Sequence, residues 1–451
     1  MRPDLIARYA DEKLPRYTSY PTAPHFTAAI GPGPYAEWLS GLEESVVGSL
    51  YVHVPFCRRM CWYCGCNTNV ALRDEPVVAY TRTLRQEISL VRGRLGRNLP
   101  IAHLHFGGGT PTILDADEFL RLMEAIRLGF DVAPTAEIAI EIDPRTLTRP
   151  LAKALGEAGV TRASLGVQSL DRTVQAAINR RQSLAETAAA VDMLRRAGIA
   201  AVNIDLIYGL PHQTVASCLA TAGECLGLRP DRFSVFGYAH VPDFKKHQRR
   251  IDAGDLPDGA ARTAQAEAIA GRLEAAGYHR IGLDHFALAG DTMAIAAAEG
   301  GLRRNFQGYT TDPADVLIGL GASAIGCLAD GYVQNETALR AYMAAIADGR
   351  LGTVRGLALS EEDRLRGALI ERLMCDFRVD IDEICRSRGR TRDHVADAFP
   401  ALDRLALDGI IRQERGVIEV EPEARALVRA VAATFDAYRA NSSKRQHSRA
   451  V

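Results

Sequence analysis

Ser49-Leu50-Tyr51-Val52-His53-Val54-Pro55-Phe56-Cys57-Arg58-Arg59-Met60-Cys61-Trp62-Tyr63-Cys64 is the stretch that decides the reading of this chain. Residues 49–54 are β-branched or aromatic at most positions and read as a strand. Directly behind them, Cys57, Cys61 and Cys64 stand in the spacing C-x3-C-x2-C. Three thiols packed so closely cannot all be core cysteines. They are expected to converge on one point, and a convergent thiolate set selects a soft metal centre. A [4Fe–4S] cluster usually takes four cysteines. Three would leave one iron open, and an open position is where a metal site does chemistry. Zinc is the bland alternative, with Cys66 as the fourth ligand. Structural zinc prefers two separated C-x2-C pairs, whereas here all four thiols share one loop and only Gly65 separates Cys64 from Cys66. Cys66 is therefore read as a neighbour of the cluster.

Working outward, short apolar β-branched runs recur near 49–54, 101–106, 137–142, 161–167, 201–208 and 232–238. Helical-period segments fill the gaps near 76–95, 117–129, 149–158, 184–197 and 214–227. Alternation of this kind implies a parallel sheet with helices outside it. The unusual residues cluster at strand ends: the cysteines, then Gly107-Gly108-Gly109-Thr110, Glu141 with Asp143, Gln168, Asp205, and Tyr238-Ala239-His240. Polar groups at the ends of many successive strands describe a barrel mouth; an open sheet would gather them at one switch point. The predicted fold is α/β, a (β/α) partial barrel over 49–290.

An N-terminal extension, 1–48, carries Pro15-Arg16-Tyr17-Thr18-Ser19-Tyr20-Pro21-Thr22, whose prolines exclude a helix or a central strand. It could form a lid over the substrate site. Residues 291–359 read as a segment that completes and connects the barrel. Residues 360–440 read as a mainly helical, winged-helix-like domain, and 441–451 as a disordered tail.

The chain has 451 residues and a formal net charge of -1, so no global field favours nucleic acid or an anionic membrane. No apolar run reaches the roughly 20 residues that span a bilayer, and Met1-Arg2-Pro3-Asp4 does not open a signal peptide. A cytoplasmic protein is expected, without nucleic-acid or membrane partners and monomeric. Nine cysteines do not make a disulfide framework here. Cys218, Cys225, Cys327, Cys375 and Cys385 are expected to be small buried apolar residues.

Gly107-Gly108-Gly109 lets backbone groups approach a ligand without side chains between. Glu141, Gln168, Arg180 and Asp205 together offer a carboxylate for an ammonium, a guanidinium for a carboxylate and an acid for ribose hydroxyls. Those needs match an aminoacyl nucleoside. Tyr63 and Phe106 could stack on its adenine or sulfonium.

The cysteine spacing after the first strand resembles the radical S-adenosylmethionine superfamily. Within it, several segments resemble the oxygen-independent coproporphyrinogen III oxidases: Tyr51-Val52-His53-Val54-Pro55-Phe56-Cys57, Cys64-Gly65-Cys66-Asn67, His105-Phe106-Gly107-Gly108-Gly109-Thr110-Pro111-Thr112, Arg304-Asn305-Phe306-Gln307-Gly308-Tyr309 and Arg16-Tyr17-Thr18-Ser19-Tyr20-Pro21-Thr22. The resemblance implies a [4Fe–4S] cluster held by Cys57, Cys61 and Cys64, and S-adenosylmethionine bound to its open iron. A 5′-deoxyadenosyl radical would take hydrogen from a propionate β-carbon. Loss of CO2 and one electron would leave a vinyl group, twice over, turning coproporphyrinogen III into protoporphyrinogen IX. Tyr51, Gly108 and Glu141 would contact the cluster-bound cofactor. Tyr63, Gly109, Thr110, Gln168, Arg180, Asp205, Ala239 and Ile325 would contact a second S-adenosylmethionine. Tyr51 and Cys66 are the expected catalytic residues. An electron donor such as a flavodoxin or ferredoxin, and an acceptor of unknown identity, are further implied. Arg16, Arg303 and Arg304 are candidates for the propionates on charge alone. The alternative is a haem-binding chaperone of the same superfamily. That branch tends to lack the Cys-Gly-Cys-Asn end of the loop and the Arg-Tyr-Thr-Ser-Tyr-Pro segment, both present here.

Overall fold

The computed structural model describes residue 9 and residues 12–439; the tail at 441–451 lies outside them. Six strands follow the predicted alternation: Gly48–Val54, Pro100–Gly108, Asp131–Ile142, Arg162–Gln168, Ala201–Tyr208 and Arg232–Gly237. They lie side by side in chain order, each parallel to the next. The helices Glu75–Leu95, Ala116–Gly129, Arg149–Glu157, Leu184–Arg196 and Val215–Leu226 return the chain between them. Side-chain caps start several of these helices. Asp115 accepts from the Glu118 amide at 2.7 Å, and Ser183 and Glu186 form a reciprocal capping box.

A seventh parallel strand, Val316–Leu320, pairs on the other side of the first. The sequence reading did not find it, because it comes after the alternation has faded and no helix of that pattern precedes it. Antiparallel strands extend both ends. His285–Leu288 and Tyr278–Ile281 lie beyond the sixth strand; Ile325–Leu328, Gly331–Asn335 and Thr353–Ala358 lie beyond the seventh. The outermost strands, Thr353–Ala358 and Tyr278–Ile281, do not pair with each other, so the barrel is open.

The period-2 pattern of the strands sorts the side chains. Leu50, Val52 and Val54, Leu104 and Phe106, Ile138 and Ile140, Ala163 and Leu165, and Val202 and Ile204 belong to one buried core shared with the helices. The alternate positions face inward and are polar: Ser49, His103, His105, Glu137, Glu141, Ser164, Asn203, Asp205 and Ser234 line a cavity of about 300 Å³. A packed barrel would fill this space with branched apolar residues. Arg162 and Arg232 instead share Asp291 across the floor at 3.3 and 2.5 Å.

The C-terminal part has its own core, built from the helices Glu361–Asp376, Ile381–Ser387 and Phe399–Leu407 and a three-stranded antiparallel sheet. The predicted helix–strand–strand is Phe399–Leu407, Ile411–Glu414 and Val417–Val420; a third strand, Arg378–Asp380, joins it. Leu14, Tyr17 and Tyr20 of the N-terminal segment are buried in this same core, while Tyr35 and Leu39 of the helix Pro32–Ser40 join the barrel core. Tyr17 Oη donates to Asp436 at 3.0 Å, and Tyr20 Oη accepts from the Ala437 amide at 3.0 Å. Of the five scattered cysteines, four are buried as expected and Cys327 is partly exposed. No helix among the described residues is long and apolar enough to cross a membrane.

Candidate active site

Cys57 closes a two-residue strand, Phe56–Cys57, that pairs in parallel with Asn69–Val70. The cysteine loop thus leaves and returns through one short ladder. Its backbone is held from two sides. The Trp62 amide donates to Ile178 O at 2.9 Å, and Asn179 Nδ2 donates to Met60 O at 2.8 Å. Behind the sixth strand, His247 Nε2 donates to Cys64 O at 2.7 Å, Gln248 Nε2 to Tyr63 O at 2.9 Å and Lys245 Nζ to Cys66 O at 3.0 Å. Residues 245–248 were given no role from the sequence.

The loop sulfurs receive donors from several segments. Thr110 Oγ1 lies 3.3 Å and Thr68 Oγ1 3.4 Å from Cys57 Sγ. Arg180 Nη1 and Arg145 Nη2 lie 3.6 and 3.8 Å from Cys61 Sγ. The Cys66 amide donates to Cys64 Sγ at 3.4 Å. Burial pushes the Cys57 thiol up, and the two threonine hydroxyls pull it back. Cys64 is pulled down, first by hydrogen bonding from Cys66, which is itself pushed up by sharing its proton. Asp143 holds both arginines, at 2.5 Å to Arg145 and 3.6 Å to Arg180.

Among the described residues, no group of three His, Cys, Asp or Glu could hold a single metal ion. A cubane takes its thiolates at separate corners, so the three sulfurs need not meet at one ion. Hydrogen bonds and two cations at the sulfurs stabilise thiolate charge, and the donor set fits a cluster.

The glycine run passes directly under this loop. The Gly109 amide donates to Val54 O at 2.9 Å, and a Cβ there would meet Phe56 O at 2.6 Å. At Gly107 a Cβ would meet Glu141 Oε1 at 2.7 Å, and at Gly108, with φ at 117°, the His53 ring at 2.8 Å. The run is therefore required for packing as well as for open backbone. Glu141 accepts from the Gly108 amide at 3.2 Å and lies 3.4 Å from His105 Nε2. Tyr51 Oη donates to His53 Nδ1 at 2.9 Å, and His53 Nε2–H donates to Asn67 O at 3.0 Å. Burial lowers the His53 pKa, which favours the neutral ring this pair of bonds requires. His53 thus links Tyr51 to the end of the cysteine loop. It was quoted in the motif but given no role.

Gln168 ends the fourth strand with φ at 69°, and its Oε1 is buried without a hydrogen-bond partner. Arg180 is buried and also donates to Gly166 O. Asp205 accepts from Ser164 Oγ at 2.9 Å and Asn203 Nδ2 at 2.7 Å. Burial, opposed by these bonds, raises its pKa to about 6. Ile325 lies across Gly319 from Tyr51: Tyr51 pairs with Gly319, whose Cβ would meet Ile325 O at 2.7 Å. Ala239 lines a separate cavity of about 890 Å³ that also takes in Arg16 and Arg304. Tyr63 packs at the edge of a small apolar cluster with Tyr238. Two readings are corrected. Phe106 faces the helices, with its ring 5.3 Å from that of Phe119, and cannot stack on a cofactor inside the barrel. Arg303 is exposed and lies 3.6 Å from Glu371, outside the large cavity.

The radical SAM superfamily model matches residues 51–224. The chain is 57% identical over 451 residues, covering all of both chains, to the oxygen-independent coproporphyrinogen III oxidase of Bradyrhizobium diazoefficiens. The chain belongs to the oxygen-independent coproporphyrinogen III oxidase family. The enzyme of that name from Paracoccus denitrificans is 43% identical over 95% of each chain. The solved coproporphyrinogen III oxidase (HemN) of Escherichia coli, a radical SAM enzyme, superposes with a TM-score of 0.90 at 36% identity, over 95% of this chain and 100% of that one. The family brings a [4Fe–4S] cluster and S-adenosylmethionine.

Proposed function

We propose that the chain converts coproporphyrinogen III to protoporphyrinogen IX without oxygen, decarboxylating two propionates to vinyl groups. The observation that carries this reading is the three-thiol loop, opening beside a bare glycine edge and Glu141, in a chain 57% identical to a named oxidase. All three relatives compared above are named as oxidases, which favours turnover over haem carriage. Cys57, Cys61 and Cys64 would hold the cluster, whose bound S-adenosylmethionine supplies radical hydrogen abstraction at an unactivated carbon.

The chain's own residues do the rest. Glu141, fixed by the Gly108 amide, offers a carboxylate to the cofactor's ammonium. Tyr51, held by His53, packs beside it and stays a neutral phenol, since burial raises its pKa. Cys66 keeps its proton beside Cys64. The inner polar wall keeps Asp205 poised for hydroxyl groups. Tyr63, Gly109, Thr110, Gln168, Arg180, Asp205, Ala239 and Ile325 are the proposed contacts of a second S-adenosylmethionine; the orphaned Gln168 oxygen supports that assignment. We take residues 49–290 as the catalytic barrel, completed by 291–359, with 1–48 and 360–440 as the extension and C-terminal domain. A flavodoxin or ferredoxin would reduce the cluster in the cytoplasm.

Anaerobic incubation of reconstituted protein with coproporphyrinogen III, S-adenosylmethionine and dithionite tests the reading. Two molecules of CO2 and one of protoporphyrinogen IX per substrate are expected. Cofactor cleavage without any vinyl product would overturn the substrate assignment.

A further inference from the structure

The 890 Å³ cavity lies at the upper end of the roughly 300–1,000 Å³ range of small-molecule sites, with room for a tetrapyrrole. Its walls come from three parts of the chain: the sixth strand and following loop, the hairpin around Phe306, and the N-terminal segment with the C-terminal domain. Aromatic side chains Tyr208, Phe236 and Phe306 give it apolar surface. Its charge is lopsided. Four carboxylates, Asp243, Asp258, Glu267 and Asp284, face six lysines and arginines in its lining; Glu267 is taken by Arg280 at 3.2 Å, Asp258 caps a helix through the Ala261 amide, and Asp284 accepts from His285 at 2.7 Å while Arg304 and Arg16 also stabilise its charge at longer range. Arg304 Nε and Nη1, by contrast, are buried without a hydrogen-bond partner. Its guanidinium is fixed in place, stacked 4.3 Å above the Tyr309 ring, with Nη2 donating to Arg16 O at 3.3 Å. Arg16 lies on the exposed rim of the same cavity, its Nη2 only 3.4 Å from Gly237 O. Behind it, buried Arg429 donates to Leu14 O and to Pro15 O, the latter at 3.0 Å.

We propose that Arg304 and Arg16 form a carboxylate clamp that holds propionates of the tetrapyrrole, with Arg429 a positioning residue that fixes the backbone carrying Arg16. Fixed, buried guanidinium donors with no partner are what bidentate carboxylate recognition requires. Mutual repulsion among Arg16, Arg304 and Arg429 lowers the Arg429 pKa further below the value burial already depresses, so a bound polycarboxylate relieves a standing strain. The assignment rests on the substrate reading above and adds the residues that grip the side chains.

The test is a fluorescence titration of reconstituted enzyme with coproporphyrin III, the oxidised macrocycle, and with its tetramethyl ester. The wild type is expected to bind the tetra-acid at least about tenfold more tightly than the ester. Arg304→Gln and Arg16→Gln should each lose at least about tenfold for the acid and nothing for the ester. Arg304→Lys should recover part of the loss, and KM for coproporphyrinogen III should rise more than kcat falls. Arg16 is exposed, so its variant reports even where Arg304→Gln fails to fold. Unchanged acid affinity in both glutamine variants, or equal binding of acid and ester by the wild type, overturns the clamp. A wild type that turns coproporphyrinogen over while both variants bind it normally refutes the clamp alone. A wild type that neither binds the macrocycle nor converts it removes the substrate reading beneath.

Discussion

At the residue scale, the site depends on donors aimed at sulfur. Cys61 is the most buried of the four loop thiols and faces two guanidinium groups. Cys61→Ser is expected to abolish the iron–sulfur chromophore near about 400 nm and the formation of 5′-deoxyadenosine; iron content and product chromatography check this. Cys66→Ser should assemble the cluster normally, because Cys66 is exposed and touches Cys64. Gly108→Ala tests the glycine run. A Cβ at φ 117° and 2.8 Å from the His53 ring should cost about 1–3 kcal/mol. It should also break the His53–Tyr51 link, with activity falling far more than iron content. The thiols and glycines were legible in the sequence because their chemistry is tied to spacing. The roles of His53, Arg145 and Thr68 were not: their partners lie on other segments or depend on which face a ring presents, which only the fold decides.

At the element scale, strict alternation along each strand already separates a polar inner wall from an apolar outer one, as in Glu137-Ile138-Ala139-Ile140-Glu141. The six strands and five helices of the barrel were therefore readable to within two residues at their ends, except the third strand, which begins at Asp131 and not near 137. The seventh parallel strand was not, since pairing with the first strand is a long-range choice. A buried acid marks that junction. Glu87, on the helix Glu75–Leu95, accepts from the Gly321 amide at 2.6 Å, Tyr342 Oη at 2.6 Å and Asn335 Nδ2 at 2.7 Å. Burial outweighs these bonds and raises its pKa to about 7. The folded state thus binds the proton more tightly than the unfolded chain. Its contribution is full below pH 4.5 and is lost as pH rises to 7. Relative to Glu87→Gln, the wild type should lose about 3 kcal/mol across that window; denaturant unfolding of both proteins at stepped pH measures the difference.

At the scale of the whole molecule, the N-terminal segment joins two cores that the sequence presents as separate. Its prolines ruled out helix and central strand, but nothing in their pattern said where Tyr17 and Tyr20 would be buried. Tyr17→Ala should destabilise the C-terminal core by about 3 kcal/mol, and Tyr17→Phe by about 1 kcal/mol, from the hydrogen bond to Asp436 alone. Thermal unfolding of the two variants separates these values. The alanine variant should also raise KM for the substrate, because Arg16 is its neighbour.

The bonds from Arg429 to residues 14 and 15 and from Tyr17 to Asp436 have a consequence for biogenesis. A ribosome emits the opening of this protein more than four hundred residues before its partners. The wall that carries Arg16 cannot take these bonds until residues 429–436 have been made. The cavity that Arg16 helps to line is thus completed by residues far apart in the order of synthesis.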